Sequence, residues 1–337
     1  MASEALNIVS EKPPLPTLWV DTAIVIKLAK ITKGEAIADI ERQRGIRLKN
    51  LVTDLARSKK LLCPEGEQEY EYYGVRLEDE ISREFATISR GIRMVPQSSA
   101  QDAQIFIAMR AYWNKVLEIR LPYQIYFHDD PIKALDETTK QRFFVSVHGI
   151  PPFLLQMGNE SRTETYVHSE QLRQKNIARN RTYDEQFAHE QKAFVNSLVG
   201  FIRSFRERLQ KGEIKEWEFF ALEGYSKYIT EWYRLGHKWP DWEGLCAFLT
   251  SDYFFKLPWV RISSQLYAKL VTDSRPIEPG DSMDVKHLSL TIPMAHYILT
   301  DRKMANRIIS LGIDKEWDTK VFSESTIDEL FVELERL

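Results

Sequence analysis

Two aspartates stand where an apolar strand gives way to a helix: Asp21 in "LWVDTAIVIKLAK" and Asp301 in "HYILTDRKM". Each is joined to a threonine, Thr22 and Thr300. A carboxylate among apolar residues is costly to bury unless it is hydrogen-bonded, paired or bound to a metal. In open parallel sheets, ligands bind beyond the carboxyl ends of the strands, and both aspartates have that address. A neighbouring hydroxyl can steady a metal-bound carboxylate by a hydrogen bond. Further acids are in reach. "GDSMDVKHL" offers Asp284 near a helix start, with Asp281 three residues earlier on the same side. "CPEGEQEYEYYG" offers Glu67 and Glu71, four apart on one helical face.

Carboxylates converging in one cleft repel each other, so some take up protons or a hard divalent cation neutralises them. Oxygen-only ligands suit Mg²⁺ or Mn²⁺. Such an ion activates water and stabilises charge developing on a phosphodiester. No convincing Ser/His or Cys/His arrangement competes with that chemistry. Taken singly, each acid has a plainer role. Asp21 and Asp301 both suit a helix N-cap, and the glutamates belong to an acidic run from Glu65 to Glu84. His287, three residues after Asp284, suits a helix histidine bonded to a carbonyl. "FHDDP" suits a helix start with Pro131 at its first position.

The elements that must position these acids lie at the two ends of the chain. "TLWV" reads as a strand buried on both faces. Residues 1–15 read as a flexible leader, rich in proline toward "KPPLP". Thr32 and Glu35 in "TKGE" have capping-box spacing, and Leu48, Leu51, Val52, Leu55 and Ala56 recur at helical spacing. "KLLCP" is a second short apolar run. Near the far end, "MDVKHLSLTI" reads as a helix stopped at Pro293, "HYILT" as a strand, "DRKMANRIISLG" as a helix and "KVFS" as a strand. A last helix is opened by Ser325 with Asp328 three residues on.

This alternation predicts an α/β core with a central parallel sheet flanked by helices. Its parts are 16–95 and 276–337, split by a mostly α-helical insertion over 96–275. Within the insertion, Phe187, Phe194, Leu198, Phe201, Ile202, Phe205 and Leu209 form one aromatic and aliphatic stripe. Trp217, Phe220, Tyr225, Tyr228, Trp232 and Tyr233 form another. Helical spacing makes these core packing rather than base-stacking platforms. "HGIPPF" and "HKWPDW" read as turns.

The formal net charge of −3 excludes a polycation built to coat nucleic acid. Locally, Lys27 to Lys60 holds ten Lys/Arg against four Asp/Glu, a balance of +6. Lys27 and Lys30 are candidates to hold a phosphate backbone, although a solvated helix face accounts for them equally. Two distant cysteines, Cys63 and Cys246, build neither a disulfide framework nor a metal site and point to the cytoplasm. No secretion signal and no apolar run of ~18 residues is present, so no membrane partner is expected.

"LWVDTAIVIKLAK" resembles the opening strand and helix of PIN-domain nucleases, an apolar strand followed by Asp-Thr and an aliphatic helix. "DVKHLSLTIPMAHYILTDRKMANRI" resembles that family's later block: an acid, a helix, a strand, then Thr-Asp and another helix. "KVFS" with its helix is similar to the last strand. The likeness covers about 140 residues at the two ends. It implies a metal-dependent endoribonuclease with a PIN-like core, or less often a DNA nuclease, using Mg²⁺ or Mn²⁺. It carries Asp21, Asp284 and Asp301 over as metal ligands and Glu71 as the fourth catalytic acid, with Glu67 in reserve. Ala23 stands where the family often has Asn, and Arg302 where many members carry an acid or Asn. A degenerate scaffold that binds RNA, a protein partner or a second copy through the insertion is the alternative.

Overall fold

Why "LWV" becomes a strand is visible in its surroundings: Leu18, Trp19 and Val20 are all buried, with no polar residue to face water. In the computed structural model, which describes residues 5–72, 76–137, 152–213, 227–236 and 241–337, three strands form a parallel sheet. They are β2 (Leu18–Val20), β4 (Tyr297–Thr300) and β5 (Lys320–Ser323), in the order β2-β4-β5. Isolated parallel bridges extend that order outward from β2, Thr17 to Leu62 and Glu65 to Arg93. The apolar run "KLLCP" therefore lies beside β2. The chain is α/β and mostly helical.

Alternation along the strands divides the core. Leu18, Val20, Leu299 and Phe322 pack into one cluster with α1 (Thr22–Lys33), α2 (Asp39–Arg57) and α4 (Glu78–Ser89). The short α3 (Glu69–Tyr72) adds Tyr72 to it. Trp19 and Ile298 point to the opposite face. There they meet α5 (Gln97–Trp113), beyond which come β3 (Glu118–Leu121), α6 (Pro131–Glu137), α7 (Pro152–Ala178) and α8 (Tyr183–Gln210). Next are α9 (Trp242–Leu249), α10 (Asp252–Phe255), α11 (Pro258–Thr272), α12 (Asp281–Thr291), α13 (Arg302–Ser310), α14 (Ile313–Glu316) and α15 (Ile327–Glu335). One hydrophobic cluster runs from Trp19 and Ile298 through Leu266 and Leu270 to Phe248 and Trp232. The helices between residues 96 and 275 thus cover the second face of the sheet and share its core.

Several expectations need correction. Residues 7–10 are not a loose leader. They form β1 (Asn7–Ser10), paired in parallel with β3, Ile8 opposite Ile119, while Leu6, Ile8 and Leu15 pack against the core. "TKGE" does not open a helix. Thr32 lies inside α1, and Gly34 ends that helix at φ 79°, a left-handed C-cap that only glycine adopts without strain. The capping box lies at the 3₁₀ turn Glu324–Thr326, between Ser323 and Thr326, and the last helix follows from Ile327 without a side-chain cap, so Ser325 and Asp328 do not open it. "FHDDP" is a helix start, with the Asp130 carboxylate accepting from the Ile132 N–H at 2.9 Å. Of the two stripes, Phe205 and Trp232 are buried, as core packing requires, whereas Tyr233 is exposed. Trp217, Phe220 and Tyr225 and parts of "HGIPPF" and "HKWPDW" lie outside the described residues. So do the side chains of Phe194, Leu198, Phe201, Ile202 and Leu209. No described helix is long and apolar enough to cross a membrane.

Candidate acidic site at the sheet's switch point

The helices that follow β2 pack on one face of the sheet, and α12 and α13, on either side of β4, pack on the other. The chain reverses its winding between these adjacent strands, and a crevice opens at their carboxyl ends, the usual ligand address in such folds. A cleft of about 760 Å³ lies there. Asp21, Glu71, Asp284 and Asp301 all line it, together with Asp281 and Glu278. Asp21, Glu71, Asp284 and Asp301 come from four separate places: the β2–α1 junction, α3, the first turn of α12 and the β4–α13 junction.

Asp21 is 5% exposed and serves two masters. Its Oδ1 accepts the Ala23 N–H at 2.9 Å, the N-cap bond of α1, and its Oδ2 accepts the Thr300 hydroxyl at 2.7 Å. Asp301 caps α13 in the same way, accepting the Lys303 N–H at 2.6 Å and the Met304 N–H at 3.2 Å, both on Oδ1. The plain N-cap role and a place in the cleft therefore coexist in both residues, since a carboxylate has lone pairs for more than its caps. The Thr22 hydroxyl is buried without a hydrogen bond of good geometry and favours the charged form of Glu71 electrostatically.

Burial is the main force on these acids, and it disfavours their charged forms. It raises the pKa of Asp21, offset partly by Thr300 and Ala23 and reinforced by Glu71 and Asp301. It raises Asp284 well above the usual carboxylate range, with Asp21, Glu71, Asp301 and Asp281 adding repulsion. Glu71 is raised by burial too, against the stabilising Thr22 hydroxyl and Arg162 guanidinium. His287 lies behind the cleft. Its Nδ1 is 3.4 Å from Glu71 Oε1 and its ring packs edge-on to Trp19. Burial lowers its pKa to about 4, so it is neutral at pH 7. It faces the acid set and not a backbone carbonyl as expected.

The raised acids carry a sign for stability. Between the ordinary carboxylate pKa and the raised folded one, the folded state holds more protons than the unfolded. Their contribution is therefore lost as pH rises through the folded pKa. His287 and His296, both lowered to about 4 by burial, act oppositely between pH 4 and 6.5, so a difference between variants isolates the acids. Without added metal, Asp284→Asn is expected to melt above the wild type at pH 8 by roughly 2 °C or more. The gap should close toward pH 4. Differential scanning calorimetry reads it, and a gap independent of pH would refute the electrostatic origin.

The remaining sequence candidates fall elsewhere or serve structure. Glu67 turns away from the cleft, its Oε2 accepting the Gln97 N–H at the start of α5, 2.9 Å away. Asp281 is tied into the scaffold, with Oδ2 accepting the Glu278 N–H at 3.0 Å and Oδ1 3.4 Å from Arg307 Nη1. Lys27 is not a free cation. It bridges Glu41 at 3.1 Å and Glu324 at 2.5 Å. Lys30 is exposed on α1 and does not line the cleft. Around them, Arg44 pairs with Asp328, Arg47 with Glu335 and Lys49 with Glu84, so acids from other elements offset much of the basic stretch.

Sequence reasoning missed the wall supplied by α7. Arg162, Thr163 and Tyr166 face the acids across the cleft. Arg162 is the one cation among the described lining residues, against six carboxylates. Its α7 periodicity carried no signal that it would meet Glu71, ninety-one positions earlier in the chain.

The donor set suits a hard divalent cation in its chemistry: oxygen-only, anionic and mutually repelling. As the side chains stand, no three His, Cys, Asp or Glu groups among the described residues are drawn together closely enough to hold one. No family model matches the sequence, and neither a curated protein nor a solved structure is significantly similar to it.

Proposed function

We propose that the chain is a metal-dependent nuclease, most at home on RNA, with Asp21, Asp284 and Asp301 holding Mg²⁺ or Mn²⁺ and Glu71 acting on the attacking water. The observation that carries this reading is the meeting of four sequence-distant carboxylates in one cleft at the switch point of a parallel sheet. In their charged forms Asp21, Glu71, Asp284 and Asp301 would repel a phosphodiester unless cations intervene. The likeness of both chain ends to PIN-domain nucleases supports the same assignment, as do free, buried Cys63 and Cys246 for a reducing, cytoplasmic setting.

When bound, the ion supplies an activated water and neutralises charge on the phosphate. The chain's own groups do the rest. Thr300 fixes the Asp21 carboxylate, and the N-cap bonds fix Asp301, so neither acid has rotational freedom to lose on binding. Arg162 offers a guanidinium to a phosphate oxygen. Glu71, with its raised pKa, would take the proton of the attacking water on a carboxylate oxygen as the water oxygen bonds to phosphorus; the bond from phosphorus to the leaving oxygen breaks, and that oxygen takes a proton from solvent.

The engagement of Asp21 and Asp301 as helix caps favours a second reading, a non-catalytic scaffold with the same fold. Calorimetric titration with Mn²⁺ separates the two. The nuclease is expected to bind Mn²⁺, to gain about 2.7 kcal/mol of stability at a hundred times the Kd, and to cut single-stranded RNA until EDTA is added. No heat of binding, an unmoved melting temperature and intact RNA would leave the scaffold.

A further inference from the structure

A second cavity, of about 460 Å³, adjoins the acidic cleft and shares Ala23 and Asp301 with it. Its floor is apolar, built from Ile24 and Leu28 of α1, Leu48 of α2 and Ile327 at the start of α15. Gly45 lets α2 close the back wall: a Cβ there would meet Ile31 Cδ1 at 2.4 Å. The rim is charged and mostly self-neutralised. Lys27 joins Glu41 and Glu324, and Arg44 is drawn to Asp328. Arg302 differs. It is exposed, follows Asp301 directly, and has no ion pair among the described residues.

We propose that this cavity binds the nucleoside next to the cleaved phosphodiester, an inference that rests on the nuclease reading. A strand held by its phosphate at the acids must lead its neighbouring nucleoside into an adjoining space, and this cavity adjoins at Asp301. Its volume is within the roughly 300–1,000 Å³ of small-molecule sites, and its make-up follows their pattern of apolar walls with a few placed polar groups. The base lies on the aliphatic floor. Arg302 takes the flanking phosphate, whose oxygens match a guanidinium fork. Glu41 and Glu324 keep lone pairs beyond those used by Lys27 and accept from an exocyclic amino group. That last feature favours adenine or cytosine over uracil, which presents carbonyl oxygens in the same places.

The test uses the full chain in EDTA, so neither metal nor turnover enters. AMP, UMP and ribose 5-phosphate are titrated in turn and followed by NMR. AMP is expected to bind at least tenfold more tightly than ribose 5-phosphate and more tightly than UMP. Arg302→Ala should weaken AMP binding about tenfold, the loss of one charge-assisted contact. Ser325→Trp, at an exposed position of the cavity mouth, should block it, and circular dichroism checks that both variants fold. Absent AMP binding, equal affinity for ribose 5-phosphate, or AMP binding unchanged in both variants would overturn the proposal. Failure here in a protein that still cuts RNA removes the pocket alone. AMP binding as expected in a protein inert to Mn²⁺ and RNA removes the nuclease reading instead.

Discussion

The double variant Asp21→Asn/Asp301→Asn is expected to lose Mn²⁺-dependent cleavage of single-stranded RNA by about a thousandfold or more while staying folded. The size follows from removing two of the anionic oxygens that would face the ion. The intact fold follows from the geometry of the caps. Asn is as good an N-cap as Asp, and at Asp301 both cap bonds use Oδ1 alone. At Asp21 an amide oxygen keeps the Ala23 bond, and the amide nitrogen can donate to the Thr300 hydroxyl. Neutralising Asp21 also relieves its repulsion with Glu71 and Asp301. Melting temperature without metal should therefore hold or rise. Measured cleavage rates that survive in a folded double variant would sink the mechanism. Loss of rate together with loss of fold would show that the caps, and not the charges, were what the substitutions removed.

Asp281→Ala should destabilise the chain by about 3 kcal/mol, because it strands a buried cation. Arg307 is 6% exposed and Asp281 5%. The guanidinium lies 3.4 Å from Asp281 and 3.8 Å from Asp273, and its Nη1 makes no hydrogen bond of good geometry. A pair held this loosely recovers little of its desolvation cost. Arg307→Met added to Asp281→Ala is then expected to restore most of the loss, since an apolar side chain of similar length needs no counter-charge. Urea denaturation midpoints of both variants check this. If the second substitution restores nothing, the Glu278 N–H bond to Asp281, not the ion pair, holds the start of α12.

The parts of this fold that could be read along the chain are those whose neighbours in sequence carry the signal. β2 and most of β4 are short apolar runs, because helices cover both faces of the sheet, while the edge strand β5 begins at exposed Lys320 and ends at Ser323. Asp21 and Asp301 follow two of those runs directly, so their place at strand ends needed no tertiary knowledge. β1 hid because it precedes the prolines of "KPPLP", which read as a leader, and its partner β3 lies more than a hundred positions away. The start of α2 hid because Ala38 caps it without a side chain, while Thr32 and Glu35 offered a false box across the end of α1. Glu67 and Glu71 share a face by helical spacing, yet α3 begins only at Glu69. Glu67 precedes it and bonds toward α5 instead. Lys27 looked available because its counter-charges come from α2 and from the turn before α15. Arg162 was out of reach altogether, since only the folding of α7 over the cleft brings it there.

The bond from Thr300 to Asp21 spans 279 residues, and this distance has a meaning for biosynthesis. A ribosome adding about 5–20 residues per second leaves tens of seconds between the appearance of the first acid and the last. Throughout that interval β2 waits with an open edge for β4, a template for mispairing that α1 and α2 can shield on one face only. On the nuclease reading, the same delay is protective. A nascent chain has Asp21 and Glu71 but neither Asp284 nor Asp301, so it stays inert toward the messenger still being translated.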